Sequence, residues 1–238
     1  MRPPGVGAPR ATVPHPEWGP GPDRSNPAIL RYLVPAHPRS PARPRATAGA
    51  RLTGGEAAGR RLMTEMAPDL RATTGLVRAA CFNILGELVV GAQVVDLFAG
   101  AGSLGIEALS RGAGKATFVE VQRGRAQVIE ANLASLDWGG RSEVIVMDAL
   151  HWIRAPGSAV SQCQLVLLDP PYRGSGPQLC LDALRLLGKV AEDDPRWDPR
   201  VVAEHHRDLS VPAQAGALNC VRTARYGTTV LSFYRRLT

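Results

Sequence analysis

The chain has 238 residues, 45% of them hydrophobic and 21% charged, enough for one domain to bury a core without a metal or disulfide staple. Its apolar runs are far shorter than the roughly 20 residues that span a bilayer, which excludes a transmembrane protein. A basic region followed by an apolar run is not visible near residue 1, so secretion is not expected. Four widely spaced cysteines without a C-x-x-C pair predict reduced thiols in the cytoplasm and no zinc site. The net charge of +7 is concentrated in residues 1–66, where ten arginines face four acidic residues.

Residues 1–50 contain 12 prolines and 5 glycines and cannot form a periodic apolar face. This composition predicts a disordered Pro/Arg-rich extension. Its seven arginines are compatible with a basic arm that touches nucleic acid, and equally with an extension that has no binding role.

Apolar residues at helical spacing predict a helix after Thr73 and Thr74, either of which can cap it. Strands and helices then alternate. Strands are predicted at 92–98, 115–121, 142–148, 163–169 and 200–205, and helices at 102–111, 123–135 and 176–190, with a short helix after the third strand. This alternation predicts a parallel sheet with helices on both faces. Runs at 218–224 and 228–235, separated by a Tyr226-Gly227 turn, predict a C-terminal antiparallel hairpin and a seven-stranded sheet.

A glycine-rich motif, DLFAGAGSLG at 96–105, lies where the first strand meets the next helix. Gly100 and Gly102 allow a sharp turn and a close approach of a ligand to the backbone. The G-x-G-x-x-G spacing also fits a dinucleotide site, so a NAD-dependent oxidoreductase is one alternative. Asp96 at the strand end favours a ligand with an ammonium group over one with a pyrophosphate.

Acidic residues also close the next two strands, Glu120 after TFV and Asp148 after VIVM. A carboxylate in the first of these places commonly accepts hydrogen bonds from ribose hydroxyls. Three acids at the carboxyl ends of consecutive parallel strands are predicted to line one crevice, which is where open α/β sheets bind ligands.

The fourth strand ends in Asp169-Pro170-Pro171-Tyr172. The two prolines fix φ and lack backbone N–H groups, so the turn is stiff and its carbonyls point outward. The Asp169 carboxylate and the Pro170 carbonyl can accept both hydrogens of an exocyclic amine, which turns its lone pair toward an electrophile. Tyr172 can stack on the base.

These motifs resemble the class I methyltransferases that use S-adenosylmethionine to modify amino nitrogens, and in particular the RsmD-type family, which methylates a guanine N2 in bacterial 16S rRNA. The resemblance covers residues 51–238 and extends to GGE at 54–56, GRRL at 59–62, FNIL at 82–85 and the closing YG with TVLSFYR at 229–235. It implies a Rossmann-like class I methyltransferase fold and a methyltransferase domain at 51–238.

The resemblance also implies roles for individual residues. The cofactor site comprises Asp96, Phe98, Gly100, Gly102, Glu120 and Asp148, with Asp96 near the methionine amine, Glu120 on the ribose and Asp148 on the adenine. Asp169, Pro170 and Tyr172 form the catalytic turn. The expected partner is 16S rRNA in the small ribosomal subunit or an assembly intermediate, and the protein is expected to act as a cytoplasmic monomer.

One segment departs from the family pattern R-P-T-T-D-R-V-R-E-A: Ala72 replaces the proline, Gly75-Leu76 replaces Asp-Arg, and Ala79 replaces Glu. Arg71 and Arg78 are retained in this segment and are candidate RNA phosphate contacts. The sequence also leaves open a DNA adenine-N6 methyltransferase, which shares the D-P-P-Y turn, and an inactive RNA-binding assembly factor. A DNA-reading enzyme would need a target-recognition segment, and no long insertion separates the motifs.

Overall fold

The computed structural model describes residues 49–64, 74–156 and 158–237. Its strands are β1 (Gln93–Asp96), β2 (Lys115–Glu120), β3 (Ser142–Val146), β4 (Leu165–Leu168), β5 (Arg200–His206), β6 (Gln214–Ala215), β7 (Leu218–Tyr226) and β8 (Thr229–Arg236). They form one sheet in the order β3-β2-β1-β4-β5-β8-β7-β6. The first five are parallel and the last three antiparallel, which confirms the predicted α/β class and the C-terminal hairpin.

The sheet has eight strands where seven were predicted. The additional strand, β6, has only two residues and pairs with β7 at the edge of the sheet. Two residues cannot show the alternation of apolar and polar side chains by which a strand is recognised in a sequence.

The described helices cover both faces of the sheet. They are α1 (Gly75–Leu85), α2 (Ser103–Ser110), α3 (Arg123–Ser135), α4 (Ala149–Arg154) and α5 (Gly176–Asp193), together with 3₁₀ turns at Gly86–Val89, Gly139–Arg141 and Ala159–Gln162. Thr74 caps α1 because its side chain accepts a hydrogen bond from the Val77 N–H at 3.3 Å. Within the described part of the chain, no helix combines the length and the apolar character needed to cross a bilayer.

Alternate residues of each parallel strand enter two separate core layers. On β1, Val94 packs in the layer beneath α1, α2 and α3, and Val95 packs in the layer beneath α4 and α5. Burial on both faces explains why these strands are almost continuously apolar. It also leaves the sheet edge at the carboxyl ends of the strands as the place where polar side chains collect.

The segment 49–64 packs against the domain as a small two-stranded bridge between Arg51 and Arg61. The Leu62 N–H donates to the Ala50 carbonyl at 2.9 Å, so the packed part includes residues 49 and 50 and begins slightly before the predicted boundary at 51. Residues 1–48 lie outside the described residues, and the disorder expected there stays a prediction.

Candidate active site at the carboxyl edge of the sheet

The four acidic residues singled out in the sequence lie at one edge of the sheet. Asp96 and Glu120 are the last residues of β1 and β2, Asp148 follows β3, and Asp169 follows β4. Because β3, β2, β1 and β4 are neighbours and parallel, their carboxyl ends share this edge. The structure therefore brings the cofactor candidates and the D-P-P-Y turn together.

Asp96 is the most deeply buried of these carboxyl groups, with 1% of the residue exposed. Its Oδ2 accepts a hydrogen bond from the Gly105 N–H at 3.0 Å, whereas Oδ1 is buried without a hydrogen-bond partner among the described residues. Burial raises the pKa of Asp96 to about 7; the Gly105 N–H opposes this shift, and the charges of Asp169 and Glu120 add to it. An unsatisfied buried acceptor is costly, so this oxygen is suited to a ligand that donates hydrogen bonds.

The glycine loop after β1 is held by Glu120. Gly100 and Gly102 have φ angles of 56° and 82°, in the left-handed region that favours glycine. The Glu120 Oε2 accepts from the Gly100 N–H at 2.8 Å, and its Oε1 accepts from the Gln122 N–H at 2.8 Å. Glu120 thus orders the loop, a role that the sequence did not reveal, and each of its oxygens keeps a second lone pair for a ligand.

Gly105 is required for a steric reason rather than for its backbone conformation. A Cβ atom at this position would lie 2.3 Å from the Phe118 ring on β2, so α2 can approach the sheet this closely only without a side chain there. The close approach sets α2 so that the Gly105 N–H reaches Asp96.

The remaining cofactor candidates are placed more peripherally. Asp148 is exposed, and its Oδ1 caps α4 by accepting from the His151 N–H at 2.8 Å. Phe98 is half-buried and packs against the core layer beneath α4 and α5. Their roles toward adenine and the cofactor stay predictions.

Tyr172 in the D-P-P-Y turn is anchored through its hydroxyl. The Tyr172 Oη donates to the Glu204 Oε1 on β5 at 2.8 Å and lies 3.2 Å from the Thr229 Oγ1 on β8. Burial, together with the charge of Glu204, raises the pKa of Tyr172 well above its usual range. The Tyr172 and His206 rings meet edge to face with centroids 6.0 Å apart. The turn is therefore fixed in orientation by two strands beyond β4.

Glu204 and Thr229 were missed as site residues by the sequence analysis. Glu204 is only 5% exposed and interrupts the apolar run of β5. A carboxylate inside an apolar strand is the signal that could have identified it, because acidic residues are rarely buried unless they have partners. Thr229 carries no comparable signal.

The family described as "Conserved hypothetical protein 95" matches residues 50–235. The chain belongs to this family. It is 41% identical over 142 residues to the ribosomal RNA small subunit methyltransferase D of Escherichia coli strain K12, covering 60% of this chain and 70% of the relative. It is 32% identical over 182 residues to YlbH of Bacillus subtilis, named as a candidate rRNA methyltransferase, covering 76% and 96%.

A solved structure supports the same relationship. The Escherichia coli protein yhhF, described as a candidate methyltransferase, has a TM-score of 0.65 and 30% identity, covering 79% of this chain and 97% of yhhF. The resemblance to the RsmD-type family predicted from the motifs is thereby confirmed, as is the class I methyltransferase fold.

The structure contradicts the prediction that Arg78 contacts RNA. Arg78 is 0% exposed, and its Nε donates to the Glu107 Oε2 at 3.0 Å within the core. Glu107 also accepts hydrogen bonds from Thr53 and from the Arg111 Nε at 2.9 Å. The assignment of Arg78 as a phosphate contact is wrong, because its guanidinium joins α1 to α2 and the 49–64 segment. Arg71, the other candidate, lies outside the described residues.

The site offers oxygen acceptors and no activated thiolate from the buried cysteines. Burial raises the pKa of both Cys163 and Cys180 to about 12, and it raises that of Cys81 further. These thiols are protonated at neutral pH. Across residues 49–64, 74–156 and 158–237, no group of His, Cys, Asp and Glu is arranged to hold a metal ion.

Proposed function

We propose that this protein is an S-adenosylmethionine-dependent rRNA methyltransferase that modifies the exocyclic N2 of a guanine in 16S rRNA of the small ribosomal subunit. The observation that carries the proposal is the meeting of the D-P-P-Y turn and the carboxylate-lined glycine loop at one sheet edge. The names of its relatives, which include the small subunit methyltransferase D of Escherichia coli, support the rRNA substrate.

The residues at the edge fit S-adenosylmethionine. The buried Asp96 Oδ1, which lacks a partner among the described residues, suits the ammonium group of the methionine part. The spare lone pairs of Glu120 suit the ribose hydroxyls, and Asp148 lies one strand further out, where the adenine amine would be placed. When bound, S-adenosylmethionine supplies an electrophilic methyl group on a sulfonium.

Catalysis by this chain consists mainly of positioning. Asp169 and the Pro170 carbonyl accept the two hydrogens of the guanine amine, which tilts its lone pair toward the methyl group for in-line attack. The methyl group would pass to the amine nitrogen while the sulfonium leaves as a neutral thioether, and the proton that this nitrogen then loses would pass to the Asp169 carboxylate, which already accepts one of its hydrogens. Tyr172, anchored by Glu204, holds the base, which must be displaced from its stack to reach this depth.

The test is tritiated methyl transfer to small-subunit particles from a strain that lacks its own enzyme, and in parallel to duplex DNA, followed by digestion to nucleosides. We expect N2-methylguanine from the particles. Recovery of N6-methyladenine from DNA would contradict the proposal in favour of a DNA-type enzyme.

The Asp169→Ala variant tests the catalytic turn in the same assay. Loss of one acceptor at a preorganised site should lower the transfer rate by about 10²–10³-fold, while S-adenosylhomocysteine affinity, measured by calorimetry, stays unchanged. Asp198→Ala is the matched control, because Asp198 is exposed and precedes β5 at the opposite edge. Full activity in Asp169→Ala would show that the turn is only structural.

A further inference from the structure

We propose that three exposed arginines, Arg173, Arg207 and Arg225, form a phosphate-binding surface for the RNA strand on either side of the target base. We call this surface the arginine rim. It rests on the proposed function, since it assigns the path by which the RNA substrate reaches the D-P-P-Y turn.

The first two arginines are sequence neighbours of residues at the catalytic turn. Arg173 follows Tyr172 in the chain, and Arg207 follows His206, whose ring lies against that of Tyr172. The Arg207 N–H also donates to the Thr228 carbonyl at 2.8 Å, which ties it to the turn between β7 and β8.

Arg225 lies on the hairpin, near the end of β7 at the same edge of the sheet. It precedes Tyr226, which is the strand partner of Thr229, and the Thr229 hydroxyl lies 3.2 Å from the Tyr172 Oη. Because side chains alternate between the two faces along a strand, Arg225 projects from the face opposite to Tyr226 and Thr229, at the edge of the sheet where Tyr172 is anchored. The rim therefore follows the carboxyl edge of the sheet, from the turn after β4 to the ends of β5 and β7.

The charges of the rim are available to a ligand. Arg173 and Arg225 form no ion pair within the described residues. The Arg207 Nε lies 3.7 Å from the Asp208 Oδ1, but both side chains are more than half exposed, at 52% and 77%. Exposed pairs of this kind contribute little, so a phosphate can replace Asp208 as the partner of Arg207. Arginine also matches phosphate in a bidentate geometry.

The positions of Glu120 and Asp148 explain why the RNA should approach from the side of the sheet that carries the arginine rim. Glu120 and Asp148 lie on the β2 and β3 side of Asp169, where the cofactor is assigned and where a phosphate backbone would be repelled. The strands on the other side of β4 are β5, β8 and β7, which carry the rim. Phosphate contacts there would set the register of the RNA, while the turn at Asp169 selects the base.

Arg235 provides a matched control on the same hairpin. It is exposed, pairs with Asn219, and lies near the far end of β8 from Thr229, about 20 Å along the strand at roughly 3.3 Å per residue. It shares the charge and the strand environment of the rim but not its proximity to Tyr172.

The experiment measures binding of full-length protein to a 16S rRNA transcript as a function of salt concentration. We expect the triple variant Arg173→Gln, Arg207→Gln, Arg225→Gln to reduce the slope of log affinity against log salt by about 2–3, at roughly 0.7–0.9 for each lost phosphate contact. At about 0.15 M salt the same relation gives roughly 50- to 150-fold weaker binding. Arg235→Gln should leave the slope unchanged, and S-adenosylhomocysteine affinity should be the same in all variants.

The outcomes separate this proposal from the proposed function. A slope unchanged in the triple variant, or reduced as much by Arg235→Gln, overturns the rim even if the wild-type protein forms N2-methylguanine. Absence of rRNA methylation by the wild-type protein overturns the proposed function, and the slopes still decide whether the rim binds RNA. If the triple variant loses S-adenosylhomocysteine binding, the three single variants are measured instead, and each should lower the slope by about 0.7–0.9.

Discussion

The buried carboxyl of Asp96 should make cofactor binding depend on pH. Its pKa of about 7 means that roughly one tenth of the apo protein carries the charged form at pH 6 and roughly nine tenths at pH 8. An ammonium group placed at the unpartnered Oδ1 favours the charged form. We therefore expect S-adenosylhomocysteine affinity to rise about tenfold between pH 6 and pH 8, equivalent to about 1.4 kcal/mol.

Calorimetry in two buffers with different ionisation enthalpies measures this linkage directly. At pH 6 binding should release close to one proton, and at pH 8 close to none. Asp96→Asn should bind weakly and show no such pH dependence, because the amide cannot ionise. The control is Asp198→Ala, which should retain the wild-type profile. A flat affinity profile and no proton release in the wild-type protein would refute the placement of an ammonium group at Asp96.

The same pKa has a consequence for the apo protein. Because the pKa of Asp96 is raised above its usual value of 3.8, the folded state binds more protons than the unfolded state between about pH 4 and pH 7. The contribution of Asp96 to stability is therefore present at low pH and is lost as the pH rises through this window. Urea unfolding of the wild-type protein and Asp96→Asn, compared across the window, isolates this contribution.

Four further changes test other parts of the molecule. Tyr172→Phe leaves buried Glu204 without its hydroxyl donor and should lower kcat with S-adenosylhomocysteine affinity retained; unchanged kcat would argue against the anchor. Glu107→Ala should lower the free energy of unfolding in urea by about 3–5 kcal/mol, because the buried Arg78 guanidinium loses its carboxylate partner. Arg78→Ala should lower the free energy of unfolding by less, because Glu107 keeps its hydrogen bonds from Thr53 and Arg111. If Arg78→Ala weakened RNA binding without destabilising the protein, the original assignment of Arg78 as a phosphate contact would be correct. Deletion of residues 1–48 should leave folding and S-adenosylhomocysteine binding intact, as calorimetry would show, and failure to fold would contradict the proposed extension.

The strand-end acids could be predicted because they depend on local pattern. Asp96, Glu120 and Asp169 each close an apolar run that is recognisable as a parallel strand, and parallel strands end at a common edge. The order of the strands then placed the three residues together without any knowledge of their side-chain contacts.

The burial of Arg78 could not be predicted from local sequence pattern. An arginine on a helix is usually exposed, and its burial here depends on Glu107, which lies 29 residues away on another helix. Burial alone would raise the pKa of Glu107. The hydrogen bonds from Thr53 and Arg111 and the charge of Arg78 outweigh this effect and hold the pKa of Glu107 below its usual range, so the buried side chain stays ionised. Contacts of this kind belong to the tertiary structure and leave no periodic signal.

The anchor of Tyr172 links the acceptor turn to a strand that the chain forms much later. Thr229 follows Tyr172 by 57 residues, and it opens β8, which enters the sheet between β5 and β7. During synthesis the glycine loop after β1 can assemble from neighbouring segments, whereas the D-P-P-Y turn, which we propose receives the base, lacks its contact with Thr229 until β8 has docked beside β5. We therefore expect cofactor binding to be established before competence for methyl transfer, because the contact that braces the D-P-P-Y turn spans more of the chain than the contacts of the glycine loop.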